Sequence, residues 1–127
     1  EIKKTINSLK LITKGKVFSI FEPHRVSRVS SLLEDFISSF KKSDYIYVLP
    51  IYSAGEDNKK NINHSLICNI LKKKYKNKTI KAYKTDKQLF EHLNQNICDG
   101  DNIIFLGAGK SSQLAEKFSK NFSATNV

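Results

Sequence analysis

The stretch DYIYVLP, Asp44 to Pro50, carries five consecutive apolar residues between an acid and a proline. A run of this length without polar alternation predicts a strand buried on both sides, as in a parallel sheet between helical layers. Asn102 to Leu106 (NIIFL) reads as another buried strand, and Lys16 to Phe21 (KVFSIF) and Thr79 to Tyr83 are further β-prone runs.

Helical spacing fills the intervals. Ile2, Ile6 and Leu9 recur in a short opening helix, and Val26, Val29, Leu32, Leu33, Phe36, Ile37 and Phe40 share one helical face, with Ser31 and Glu34 able to form a capping box. Leu66, Ile67, Ile70 and Leu71 mark a third helix. Leu89, Phe90, Leu93 and Ile97 mark a fourth, and Leu114, Ala115 and Phe118 a last one. Strand and helix thus alternate four times. Parallel neighbours need crossover connections, so the pattern predicts an α/β, Rossmann-like three-layer domain with a mostly parallel open sheet and helices on both faces.

The 127 residues suit one domain, and 39% of them are apolar, which excludes a disordered chain. No apolar run approaches the roughly 20 residues a membrane span requires, and no basic segment followed by an apolar core opens the chain. Cys68 and Cys98 lack metal spacing and a disulfide framework, so both are expected to be small buried hydrophobes in a reducing cytoplasm. With Glu1 first and no methionine anywhere, the chain is expected to be a piece of something longer.

The net charge of +10 is unevenly placed: Lys59 to Lys87 holds ten lysines against one acid, Asp86, or +9. Such a segment attracts polyanions at low salt. It lacks arginine, and its aromatics are Tyr75 and Tyr83, so a solvated lysine face is the plainer expectation and a nucleic-acid-binding module the alternative.

In open parallel sheets ligands bind at the carboxyl ends of the strands. That rule selects three loops: EPHRVSR from Glu22, IYSAGEDN from Ile51, and GAGKSS from Gly107. GAGKSS is not a phosphate loop, because the glycine required five residues before Gly109 is Ile104. Gly107 and Gly109 instead suit a tight strand-to-helix turn with close backbone approach. In EPHRVSR the two arginines of the chain, Arg25 and Arg28, stand at i, i+3 where a helix opens, next to His24. Two guanidinium forks at a helix start suit a planar carboxylate, which lysine matches in charge but not in bidentate geometry. A surface ion pair with Glu22 or Glu34 is the alternative for them. Gly55 to Asp57 places two carboxylates on a turn, fit for an ammonium group, a domain contact, or plain solvation. No nucleophile stands with a base and no metal-ligand spacing occurs, so catalytic and metal residues are expected to be absent, and a bound cofactor with them.

FEPHRVSR, IYSAGE and FLGAGKSSQLA, in this order and spacing, resemble the carboxy-terminal domain of the cytoplasmic peptidoglycan ligases, the Mur ligase family, and within it the members that add L-alanine to UDP-N-acetylmuramate. EIKKTINSLK at the start also resembles the helix after the family's hinge, so the resemblance covers nearly the whole chain. It implies an ATP- and Mg2+-dependent ligase whose amino-terminal domain holds the UDP-sugar and whose central domain holds ATP, with this domain, residues 1–127, as an amino-acid-binding lid. It implies contact of His24, Arg25 and Arg28 with the L-alanine carboxylate, and a cleft lined by Tyr52, Gly55, Glu56, Gly107 and Gly109. Pro50 stands where relatives often carry an acid, and Lys110 where a smaller or acidic residue is usual.

Overall fold

All four apolar runs form strands. The computed structural model describes residues 2–23, 33–50, 63–107 and 111–125. In chain order these give α1 (Ile2–Ile12), β1 (Val17–Phe21), α2 (Leu33–Ser38), β2 (Tyr45–Val48), α3 (His64–Lys74), β3 (Thr79–Ala82), α4 (Asp86–Asn96), β4 (Asn102–Leu106) and α5 (Ser111–Thr125). The sheet order is β3-β2-β1-β4 and every pairing is parallel. The predicted helical pattern from Val26 to Leu32, with the Ser31 half of its capping box, lies outside the described residues. No described helix is long and apolar enough to cross a membrane.

Two cores flank the sheet, as strand alternation requires. Phe21, Ile46, Val48 and Ile80 point to one face, where Ile6 of α1, Ile37 of α2 and Ile67, Cys68 and Leu71 of α3 cover them. Phe18, Ile20, Tyr47 and Leu49 point to the other, under Leu89, Phe90 and Leu93 of α4 and Leu114 and Phe118 of α5. β1 is buried at all five positions because it has a strand on each side and a helix layer on each face. Its one polar residue, Ser19, is satisfied by a hydrogen bond to the Ser43 hydroxyl.

β4 departs from expectation. NIIFL is only half-buried at every position, because β4 is an edge strand with β1 on one side alone. Leu66 is 41% exposed, and Cys68 takes the buried place beside Ile67. Cys98, expected inside, is exposed in the turn after α4, while Cys68 is buried and its thiol pKa is raised by that burial.

The ends opposite the predicted loops are tied together by side chains. Asp44 accepts from the Val17 amide at 2.8 Å and from Lys10 Nζ at 2.9 Å. Burial alone would raise its carboxyl pKa. The hydrogen bonds of Lys10 and Val17, with the charges of Lys10 and Lys78, outweigh it and hold the group below the usual carboxylate value. Asp101 likewise accepts from the amides of Lys16 and Cys98, at 2.7 and 2.8 Å, and so pins the start of β4 to the start of β1.

Candidate functional site at the β1–β4 switch point

The strand order fixes where a crevice opens. From β1 the chain steps to β2 and then to β3 in one direction, and β4 returns to the opposite side of β1. The described helices after β1 and β4, α2 and α5, pack on opposite faces of the sheet, and the carboxyl ends of two such strands are the usual ligand position in open α/β sheets.

The three loops selected from sequence leave three adjacent strands, β2, β1 and β4. Ladder bonds continue past the strand ends: Glu22 N donates to Leu106 O at 2.8 Å, Leu49 N to Phe21 O at 2.9 Å, and Tyr83 N to Val48 O at 3.0 Å. The exits of the loops are thereby fixed by backbone geometry. Glu22 and Pro23 are buried as the chain leaves β1. Gly107, as it leaves β4, is exposed and has a φ of +151°. A Cβ on Gly107 would lie 2.8 Å from Glu22 O and 2.9 Å from Glu22 Cβ, so the two exits touch backbone to backbone and only glycine fits. Ser111, 7% exposed at the start of α5, donates from Oγ to Gly107 O at 2.7 Å and fixes the turn from the helix side.

Of the residues expected to form the site, Gly107 is among the described residues, at the exit of β4 against Glu22. His24, Arg25, Arg28, Tyr52, Gly55, Glu56 and Gly109 lie outside the described residues. The close backbone approach expected of Gly107 is present, and Ile104 lies inside β4, where no phosphate loop can begin. Ser111 was not singled out from sequence. Its signal was a hydroxyl in the first turn of a helix, four residues after a glycine whose carbonyl it can reach.

Two histidines lie among the described residues of α3 and α4. His64 opens α3, and burial, then the charge of Lys84, lowers its pKa. His92, expected at the surface, packs its ring 5.2 Å from Tyr47 and 5.7 Å from Tyr83 between α4 and the sheet. Burial and then Lys81 lower the His92 pKa, and burial pushes the Tyr83 hydroxyl up to about 12. Among the described residues no group of His, Cys, Asp and Glu could hold a metal ion.

No family model matches the chain. Whole proteins do. It is 40% identical over 126 residues to the UDP-N-acetylmuramate--L-alanine ligase of Rickettsia bellii, covering 96% of this chain and 26% of that protein. Proteins of the same name from Desulfatibacillum aliphaticivorans and Prochlorococcus marinus are each 36% identical, over 119 and 126 residues, covering 93% and 90% of this chain. The chain spans about a quarter of the length of each of these relatives. A four-stranded parallel sheet with its own two cores is the size of one domain of such a protein. Over nearly all of its length the chain is thus homologous to part of the UDP-N-acetylmuramate--L-alanine ligases, consistent with a carboxy-terminal domain of the Mur ligase family.

Proposed function

We propose that this chain is the carboxy-terminal lid domain of an ATP-dependent ligase that adds L-alanine to UDP-N-acetylmuramate in cytoplasmic peptidoglycan precursor synthesis. The observation that carries the proposal is the 36–40% identity, across nearly the whole chain, to proteins named for that reaction. The fold supports it by launching all three family-like loops from neighbouring strands at one end of the sheet. The competing polyanion module has no such support.

His24, Arg25 and Arg28 would hold the alanine carboxylate, since paired guanidinium forks match its two oxygens. They follow directly on Glu22 and Pro23, which the sheet fixes. Gly107 and Gly109, with Tyr52, Gly55 and Glu56 from the second loop, would line the cleft. ATP with Mg2+, which other parts of the enzyme would hold, would supply the activation of the UDP-N-acetylmuramate carboxylate toward the alanine amine. The contribution of this domain is position: closing on the rest of the protein, it would set the amine in line and exclude water that competes for the activated carboxylate. Alone it would bind without reacting.

The test is an amide NMR titration of this chain with L-alanine up to roughly tens of millimolar, alongside D-alanine and an Arg28→Lys variant. Saturable shifts near His24 to Arg28 for the L-isomer, lost in the variant, are expected. Equal responses to the two isomers, or an undiminished response in Arg28→Lys, would remove these residues from the alanine site.

A further inference from the structure

The opposite end of the sheet carries a second concavity. At the amino ends of β1, β2 and β3 lies a groove of about 630 Å³ whose lining includes Lys16, Lys41, Asp44, Lys74, Lys76 and Lys78. Five lysines thus face one carboxylate. Asp44 is already engaged by Lys10 at 2.9 Å and by the Val17 amide.

Lys78 has a different task from the other four. Its ammonium donates to Lys41 O at 2.8 Å and also to Ser43 O, quenching two carbonyl oxygens just past α2. Unquenched, those oxygens would repel an anion entering the groove. Lys16, Lys41, Lys74 and Lys76 have no carboxylate within ion-pair distance among the described residues. Lys16 lies 5.4 Å from the Tyr45 ring centre and Lys74 lies 5.9 Å from that of Tyr75, contacts that lay their stems along the groove wall. The Tyr75 ring is itself anchored, its hydroxyl donating to Ile37 O at 2.7 Å.

Four uncompensated ammonium groups around one hollow repel one another, and an entering polyanion relieves that repulsion. Lysine presents a compact, strongly hydrated charge that suits phosphoryl oxygens, whereas planar carboxylates favour arginine, which this groove lacks. The lysines come from three separate places: the entry to β1, the turn after α2, and the α3–β3 connection. Ammonium groups supplied from three places suit a ligand with several linked anionic groups better than a lone phosphate. We propose that this groove binds a compact oligophosphate, two or three linked phosphoryl groups, at the end of the domain opposite the β1–β4 crevice.

The test is an amide NMR titration of this chain with inorganic tripolyphosphate in about 0.1 M salt, where interactions between distant surface charges are screened. Saturable shifts confined to Lys16–Val17, Lys41–Tyr45 and Lys74–Thr79 are expected. Lys41→Gln and Lys76→Gln, both at exposed positions, should each weaken binding roughly two- to fivefold, the range of exposed charge pairs. Lys3→Gln and Lys87→Gln, outside the groove, should leave it unchanged. Shifts spread over every lysine-bearing surface, or equal losses from the two outside variants, would overturn the proposal. So would a single-stranded oligonucleotide that shifts these amides while tripolyphosphate does not, since an extended nucleic-acid surface would then be at work.

Discussion

Gly107 and Glu22 meet where two strand exits leave no room for a side chain. Gly107→Ala adds a Cβ against Glu22 and strains a positive φ, so a loss of about 1–3 kcal/mol is expected. Thermal unfolding checks it, and an unchanged midpoint would show that the exits can separate freely. Asp44 gives a pH signature. Its folded pKa lies below the ordinary value of 3.8, so the stabilisation is present at neutral pH and is lost as pH falls below about 5 and through the folded value. Asp44→Ala leaves the buried Val17 amide without its acceptor and should cost about 1–3 kcal/mol at pH 7. The difference from the native chain should shrink in urea titrations repeated toward pH 3. A constant difference would mean that the carboxylate charge contributes nothing.

Among the helices, α3 separates apolar pattern from burial. Leu71 is fully buried and Leu66 is 41% exposed, so Leu71→Ala should cost about 2–5 kcal/mol and Leu66→Ala within about 0.5 kcal/mol. Denaturant midpoints would rank them, and a comparable loss from Leu66→Ala would reveal a contact outside the described residues. At the start of α4, Thr85 accepts from Gln88 N, and Thr85→Ala should cost about 1 kcal/mol in the same measurement. Strand and helix identities were legible in the sequence because YIYVL and LFEHL carry different periods. The rank of a strand within its sheet was not: NIIFL at the edge is as apolar as YIYVL inside, and edge position is a property of pairing. The ring packing of the half-buried His92 escaped notice for a related reason, since the rings it meets, Tyr47 and Tyr83, come from elsewhere in the chain. For the candidate site, the strand-end rule selected three loops that leave adjacent strands. The contact of the first with the last, Glu22 on Gly107, required the sheet order.

Across the molecule, positive charge is in large excess. The described residues contain three ion pairs, and in each of them both side chains are at least a third exposed, so they offset little of the +10 charge. Added salt should therefore stabilise the fold by screening self-repulsion, with a melting temperature that rises by a few degrees between about 0.02 and 0.2 M sodium chloride. A fall would mean that attractive pairs dominate. Covering both faces with helices leaves β3 and β4 as the free edges of the sheet.

β1 meets β2 across fewer than thirty residues of chain, Phe18 with Tyr45, but meets β4 across 85, Val17 with Asn102. Closing the longer loop carries the larger entropic penalty, so the β1–β4 pairing belongs to the late part of folding. The Glu22–Gly107 junction then comes into being only when the fourth strand docks. On a ribosome the first three strands can pair while β4 is still in the exit tunnel, and the proposed alanine crevice would have one wall until β4 has emerged.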